Sequence, residues 1–137
     1  MTLFYADASA LVKLVRAEPE TAALRAFLTD ADVVSSELTL TEVPRAIRRA
    51  AGDDPGLPLE GLLAHAGEVL ETIALLPVDR AVLLAAGAFT EPGLRALDAI
   101  HVAAATDASP IDAFVSYDER QAAAARLAGL RTVAPIA

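Results

Sequence analysis

Five short runs with β-strand character punctuate the chain: LFYA (3–6), DVVSS (32–36), IALLPV (73–78), AFVSY (113–117) and RTVAPI (131–136). Longer stretches of helical periodicity separate them. This alternation constrains the fold more than any other feature. Strands joined through helices cannot pair as hairpins, so they pair in parallel and their crossover helices cover both faces of the sheet. The expected fold class is α/β, a three-layer α/β/α arrangement around a central, mainly parallel sheet of about five strands. A length of 137 residues fits a single domain, 1–137. Pro135 suits the last run to a sheet edge.

Local signals divide the helical stretches. Ser9 reads as the cap of a helix through ALVKLV, and Pro19 opens a second helix over 19–28. A third is expected over 37–51, with GDDPGLP (52–58) as a loop. Further helices are expected over 59–72, from the cap Asp79 to 89, over 97–105, and after Asp118 as far as the C-capping Gly129.

Composition removes several chemistries. There is no cysteine, so disulfides, thiolate catalysis and cysteine-held metals are excluded. Two histidines, His65 and His101, leave little for a His-rich metal site or a Ser-His-Asp machine. MTLFYAD does not read as a signal peptide, no apolar run nears the roughly 20 residues of a membrane span, and a cytoplasmic location is expected. The net charge of −8 disfavours direct DNA binding and suits divalent cations or a basic partner.

In open parallel sheets ligands bind beyond the carboxyl ends of the strands, which directs attention to the residues just after them. Asp53, Asp54, Glu91 and Asp112 read as solvated loop acids, and Glu60, Glu68 and Glu71 as polar helix-face acids. Four others stand out. Asp7 ends the first run and Asp118 the fourth. Glu42 lies in the helix after the second run, and Asp98 interrupts the apolar ALDAIHVAAA. Each has an ordinary explanation by itself. Asp7, Asp98 and Asp118 could cap helices. Glu42 falls outside a buried stripe of Leu40, Val43 and Ile47, near Arg45 and Arg49, and could be a surface acid paired along its helix. With Ser9 as cap, Asp7 is free for another task. Pro44 follows Glu42 closely enough to bend the helix. Taken together, four carboxylates along one rim would repel one another unless a hard divalent cation joined them. Ser9 and Ser116 could orient water or phosphate there, or act as turn and cap residues. His101 falls on the Leu97/Ala104 side of its helix and reads as a packed or hydrogen-bonded structural histidine. His65 reads as exposed.

These residues resemble the PIN-domain nucleases, and among them the VapC toxins of toxin–antitoxin pairs. YADASALVKLV matches the family's opening, ELTLTEVPRAIRRA its second acid, LRALDAIHVAAA its third and AFVSYDERQAAAARLAGLRTV its C-terminal unit. The resemblance covers essentially the whole chain and implies a PIN-like fold. It further implies a metal-dependent endoribonuclease toxin using Mg²⁺ or Mn²⁺, with Asp7, Glu42, Asp98 and Asp118 as catalytic and metal-holding acids. A homodimer and a VapB-like antitoxin follow from the same likeness, with operator DNA reached only through the antitoxin. Lys13, Arg16, Arg45, Arg48 and Arg49 are the candidates for RNA binding. The absence of Trp disfavours a stacking platform for single strands, so structured RNA is expected; the resemblance to the toxins implies the tRNA or rRNA class, with translation inhibited. A phosphoacceptor receiver domain would need paired acids after the first strand and a late lysine, whereas Lys13 is the only lysine. A PIN nuclease that processes RNA outside a toxin pair, or a silent PIN binding protein, are the remaining alternatives.

Overall fold

The computed structural model describes residues 1–136. Five strands form one sheet: β1 (Leu3–Ala6), β2 (Asp32–Ser36), β3 (Ala74–Leu76), β4 (Ala113–Val115) and β5 (Thr132–Val133). Their order is β3-β2-β1-β4-β5, and every adjacent pair is parallel. Seven helices connect them: α1 (Ala8–Val15), α2 (Thr21–Leu28), α3 (Thr39–Asp53), α4 (Leu59–Glu71), α5 (Arg80–Gly87), α6 (Ala96–Ala108) and α7 (Glu119–Leu127). The three-layer expectation holds, and the sheet is wholly parallel.

Strand alternation sorts the core into two halves. Phe4 and Ala6 of β1, with Ala113 and Val115 of β4, face the layer made by α1 to α4. Tyr5 and Phe114 point the other way, into the layer made by α5 to α7. Tyr5 pairs in register with Phe114, and their rings stack at 5.3 Å between centroids. Because both central strands are covered on both faces, they are apolar without a solvent side.

The strand order reverses direction between β1 and β4. Chain leaving β1 turns into the first layer, and chain leaving β4 turns into the second. The two carboxyl ends therefore open a crevice at the switch point. Asp7 leaves one side of it, and Ser116 and Asp118 leave the other.

Several expected boundaries shift. α2 begins at Thr21, not at Pro19, because Thr21 is buried and its hydroxyl donates to the Lys13 carbonyl at 2.8 Å. α3 starts later and runs to Asp53, taking the first residues of the expected loop. Leu40 is not in its buried stripe: it is 53% exposed, and Thr39 is buried beside Val43 and Ile47. The Thr39 hydroxyl donates to the Ser36 carbonyl at 2.7 Å, which fixes that turn inward. The helix runs through Pro44 without interruption. α6 extends to Ala108. Glu91, expected in solvent, is half-buried, and its Oε2 has no hydrogen-bond partner among the described residues.

Gly129 ends α7 as expected, at φ +90°. The Leu130 N–H donates to the Ala125 carbonyl at 3.0 Å and the Gly129 N–H to the Arg126 carbonyl at 2.9 Å, which satisfies the last turn and aims the chain into β5. Gly129→Ala is expected to cost about 1 kcal/mol, since a Cβ disfavours this left-handed backbone. Chemical denaturation would measure it.

Candidate active site

Asp7 anchors the site. It is 1% exposed and is the N-cap of α1, its Oδ1 accepting from the Ala10 N–H at 3.1 Å. This corrects the assignment of the cap to Ser9, which lies inside the helix and donates its hydroxyl to Asp7 Oδ1 at 2.6 Å. The Ser116 hydroxyl donates to Asp7 Oδ2. Both serines are thus committed to holding Asp7. Ser9 Oγ also accepts the Tyr117 N–H at 2.9 Å, and Ser116 Oγ accepts the Asp118 N–H at 3.0 Å. Burial pushes the Asp7 carboxyl above its ordinary range, against the opposing pull of these hydrogen bonds and of His101.

The other three acids open onto a cleft of about 620 Å³ lined by Glu42, Asp98 and Asp118 together with Arg49, Arg95 and Arg120. Glu42 Oε1 accepts from His101 Nε2 at 2.6 Å, so its partner is a histidine from α6 and not an arginine of its own helix. Asp98 is not a cap, because Arg95 occupies that position; Asp98 sits in the first turn of α6, where a carboxylate favours the helix dipole. Its Oδ1 accepts from Gln121 Nε2 at 3.1 Å. Asp118 does cap α7, its Oδ1 accepting from the N–H groups of Arg120 and Gln121 at 3.0 and 3.3 Å. Burial, then the charges of Asp118 and Glu42, raise the Asp98 carboxyl.

The structure therefore gathers Glu42, Asp98 and Asp118 around one cleft and sets Asp7 beneath it. Among the described residues none of the three is paired with an arginine or lysine, and the second oxygen of each accepts no hydrogen bond. An all-oxygen, uncompensated donor set is the chemistry that a hard divalent cation satisfies. Among the described residues, however, no three His, Asp or Glu side chains stand close enough together to hold an ion as placed. Ligation would need the free oxygens to swing toward one another across the cleft.

The basic candidates divide. Arg45 and Arg49 line a second groove beside Glu42, Ser9 and Leu97, and Arg49 lines the acidic cleft too. Lys13 is already engaged, 3.0 Å from Glu18 and 2.9 Å from Glu20, with its ammonium over the Tyr117 ring. Arg16 ends α1, and Arg48 lines neither groove. Sequence reasoning missed Arg95 and Arg120, although each lies within three residues of a singled-out acid. It also missed Gln121. His101 is the buried, hydrogen-bonded histidine that was expected, but its bonding to Glu42 was not foreseen. His65 is half-exposed on α4, 3.6 Å from Glu68.

Comparison with known proteins now bears on this geometry. The PIN-domain family profile matches residues 4–127. The chain belongs to the PIN-domain family, in its VapC branch. Ribonuclease VapC35 of Mycobacterium tuberculosis is 38% identical over 139 residues, covering 97% of each chain. Ribonuclease VapC46 of the same organism is 39% identical over 137 residues, covering 98% of this chain and 99% of the relative. In fold it is similar to the crystal structure of PAE2754 from Pyrobaculum aerophilum, with a TM-score of 0.66 at 22% identity over 96% of this chain and 84% of the other. Among the described residues no helix is long and apolar enough to cross a membrane.

The raised Asp7 carboxyl has a consequence for stability. A carboxyl that protonates more readily folded than unfolded costs nothing below its ordinary pKa of about 3.9, and the cost grows as pH rises through the folded value. Asn keeps the cap and the acceptor for Ala10 without the buried charge. Asp7→Asn should therefore melt higher than the parent protein at pH 7 in EDTA, and the gap should close toward pH 4. Calorimetry at the two pH values checks it.

Proposed function

We propose that this VapC-type chain is a Mg²⁺- or Mn²⁺-dependent endoribonuclease toxin. One observation carries the reading: three carboxylates, from α3, α6 and the N-cap of α7, line one cleft near the sheet's switch point, with a fourth buried. The names of the VapC relatives support an RNA substrate. Glu42, Asp98 and Asp118 would hold the cation through their free oxygens, with Asp7 supporting them from below. A bound divalent cation supplies charge neutralisation at the scissile phosphate and a more acidic water.

The chain's own residues account for the remainder. At least one of these carboxylates can also take a proton from the attacking water. Arg49, Arg95 and Arg120 stand where they can bind phosphates flanking the scissile one, and Arg45 extends that rim along the neighbouring groove. Phosphate contacts position a backbone without reading bases, which suits a structured RNA recognised by shape. A ribose 2′-hydroxyl attack would need a general base on an exposed, mobile position. His101 is 1% exposed with both ring nitrogens bonded, so water attack on phosphorus is the better reading.

By the same proposal the chain forms a homodimer and is neutralised by a VapB-like antitoxin whose basic side chain reaches the carboxylates. Operator DNA is reached only through that antitoxin, because a net charge of −8 gives the chain little affinity for a polyanion. Cleavage of tRNA or rRNA would inhibit translation.

Purified protein should cleave structured RNA with Mg²⁺ or Mn²⁺, stop in EDTA, and leave no 2′,3′-cyclic phosphate ends. Asp98→Asn should lose at least ten-fold in rate while keeping its fold. Undiminished cleavage by the chelated protein would refute the metal-dependent mechanism. Asp118→Asn separates capping from ligation, since Asn caps about as well as Asp. It should melt like the parent protein without metal, bind Mn²⁺ more weakly and cleave more slowly. Arg95→Ala and Arg120→Ala should raise KM for RNA more than they lower kcat.

A further inference from the structure

Tyr5, His101 and Glu42 form a hydrogen-bonded chain from the middle of the sheet to the cleft. Tyr5 is fully buried on β1 and its hydroxyl lies 2.8 Å from His101 Nδ1. His101 is 1% exposed on α6, and its Nε2 lies 2.6 Å from Glu42 Oε1 on α3. Glu42 keeps 20% of its side chain exposed at the cleft. The three residues come from three elements, one in each layer of the fold.

The proton positions follow from the donors. An ionised carboxylate only accepts, so Nε2 carries the hydrogen. Burial holds the Tyr5 phenol protonated far above its usual range, with the charge of Asp7 adding to the effect. Its hydroxyl shares the second hydrogen bond, with Nδ1. Bonded at both nitrogens, the imidazole has one defined ring orientation. Metal-ligating groups commonly have their orientation fixed by such an outer hydrogen bond. Without it, Glu42 is a surface side chain with three rotatable bonds near Arg45 and Arg49, either of which could draw it away from Asp98 and Asp118.

We propose that His101, oriented by Tyr5, is a positioning residue that fixes the Glu42 carboxylate for cation binding in the cleft. This rests on the nuclease reading above. The imidazole touches neither RNA nor cation. It donates one hydrogen bond and leaves Glu42 Oε2 free for the ion. The same role cannot be filled by packing alone, which distinguishes it from the structural histidine expected from sequence.

Three variants test it. His101→Gln can retain an N–H donor near the Nε2 position, whereas His101→Met fills similar volume without one. Mn²⁺ binding by calorimetry is the primary readout, with kcat and KM alongside and melting temperature in EDTA as the folding control. His101→Met should bind Mn²⁺ at least ten-fold more weakly and lose kcat with little change in KM, and His101→Gln should recover most of that loss. In a Glu42→Gln background, His101→Met should cost no further affinity, since the pair acts as a unit. Nitrogen NMR of the metal-free protein should show Nε2 carrying a hydrogen. Equal Mn²⁺ affinity in His101→Met and the parent protein, or equal losses in the Met and Gln variants, would overturn the proposal. If Glu42→Gln bound Mn²⁺ and cleaved RNA like the parent protein, Glu42 would not hold the cation and the proposal would be overturned; if the parent protein itself neither bound Mn²⁺ nor cleaved RNA, the nuclease reading would fail first.

Discussion

A buried carboxylate at the switch point of the sheet holds this fold to its site. Asp7 ties together the end of β1, the first turn of α1 and the turn after β4: its N–H donates to the Val115 carbonyl at 3.1 Å, and its side chain accepts from Ala10, Ser9 and Ser116. An apolar residue there would leave the Ala10 N–H and two serine hydroxyls without their acceptor, and the crevice would have nothing to join its two sides. A charge so deeply placed is tolerated only because every approach to it is a donor. The same carboxylate repels a proton donor's loss nearby, which helps keep Tyr5 a phenol. The electrostatic character of the cleft thus begins one layer below it.

The acids above Asp7 obey a common rule. Each has one oxygen held by a donor other than arginine or lysine: His101 for Glu42, Gln121 for Asp98 and the α7 backbone for Asp118. Gln121 serves two of them, since its side chain donates to Asp98 and its own N–H to Asp118. An arginine or lysine paired there would offset the negative potential of the cleft. The donors present fix orientation without one. The resulting repulsion works against the folded state, as is usual where a site is built for function before stability.

The fold was largely legible because its signals are local. Strand-length runs, cap residues and Gly129 act over a few residues, and all five strands lie within the runs first picked out, with β1 and β2 matching end to end. The four acids were legible because strand ends and an interrupted apolar helix are local features too. Errors arose where distant contacts decide. Ser9 and Asp7 are equally good caps by type, and only the need to satisfy a buried carboxylate makes Asp7 the cap and Ser9 its donor. Leu40 and Thr39 compete for the inward face of α3, and a hydroxyl bond to Ser36 gives it to Thr39. Glu42 and His101 are 59 residues apart, and no helical periodicity can reveal their pairing.

An acidic chain proposed to act on RNA must reverse its field locally, and the arginines around the cleft are the groups placed to do so. Arg45 and Arg49 come from α3, Arg95 from the start of α6 and Arg120 from the first turn of α7. Scattered along the sequence, they give no basic run for a polyanion to find in an unfolded chain. Folding brings Arg49, Arg95 and Arg120 to the acidic cleft and Arg45 to the groove beside it. Beyond roughly 10 Å at physiological salt the remaining surface charge is screened, so the local arrangement outweighs the net −8 for a phosphate already at the rim. Lys13 illustrates the converse: two glutamates neutralise it on the spot, and its residual role is to brace the α1–α2 turn against Tyr117. Charge count describes how the chain meets a polyanion at long range, whereas placement decides what happens once contact is made.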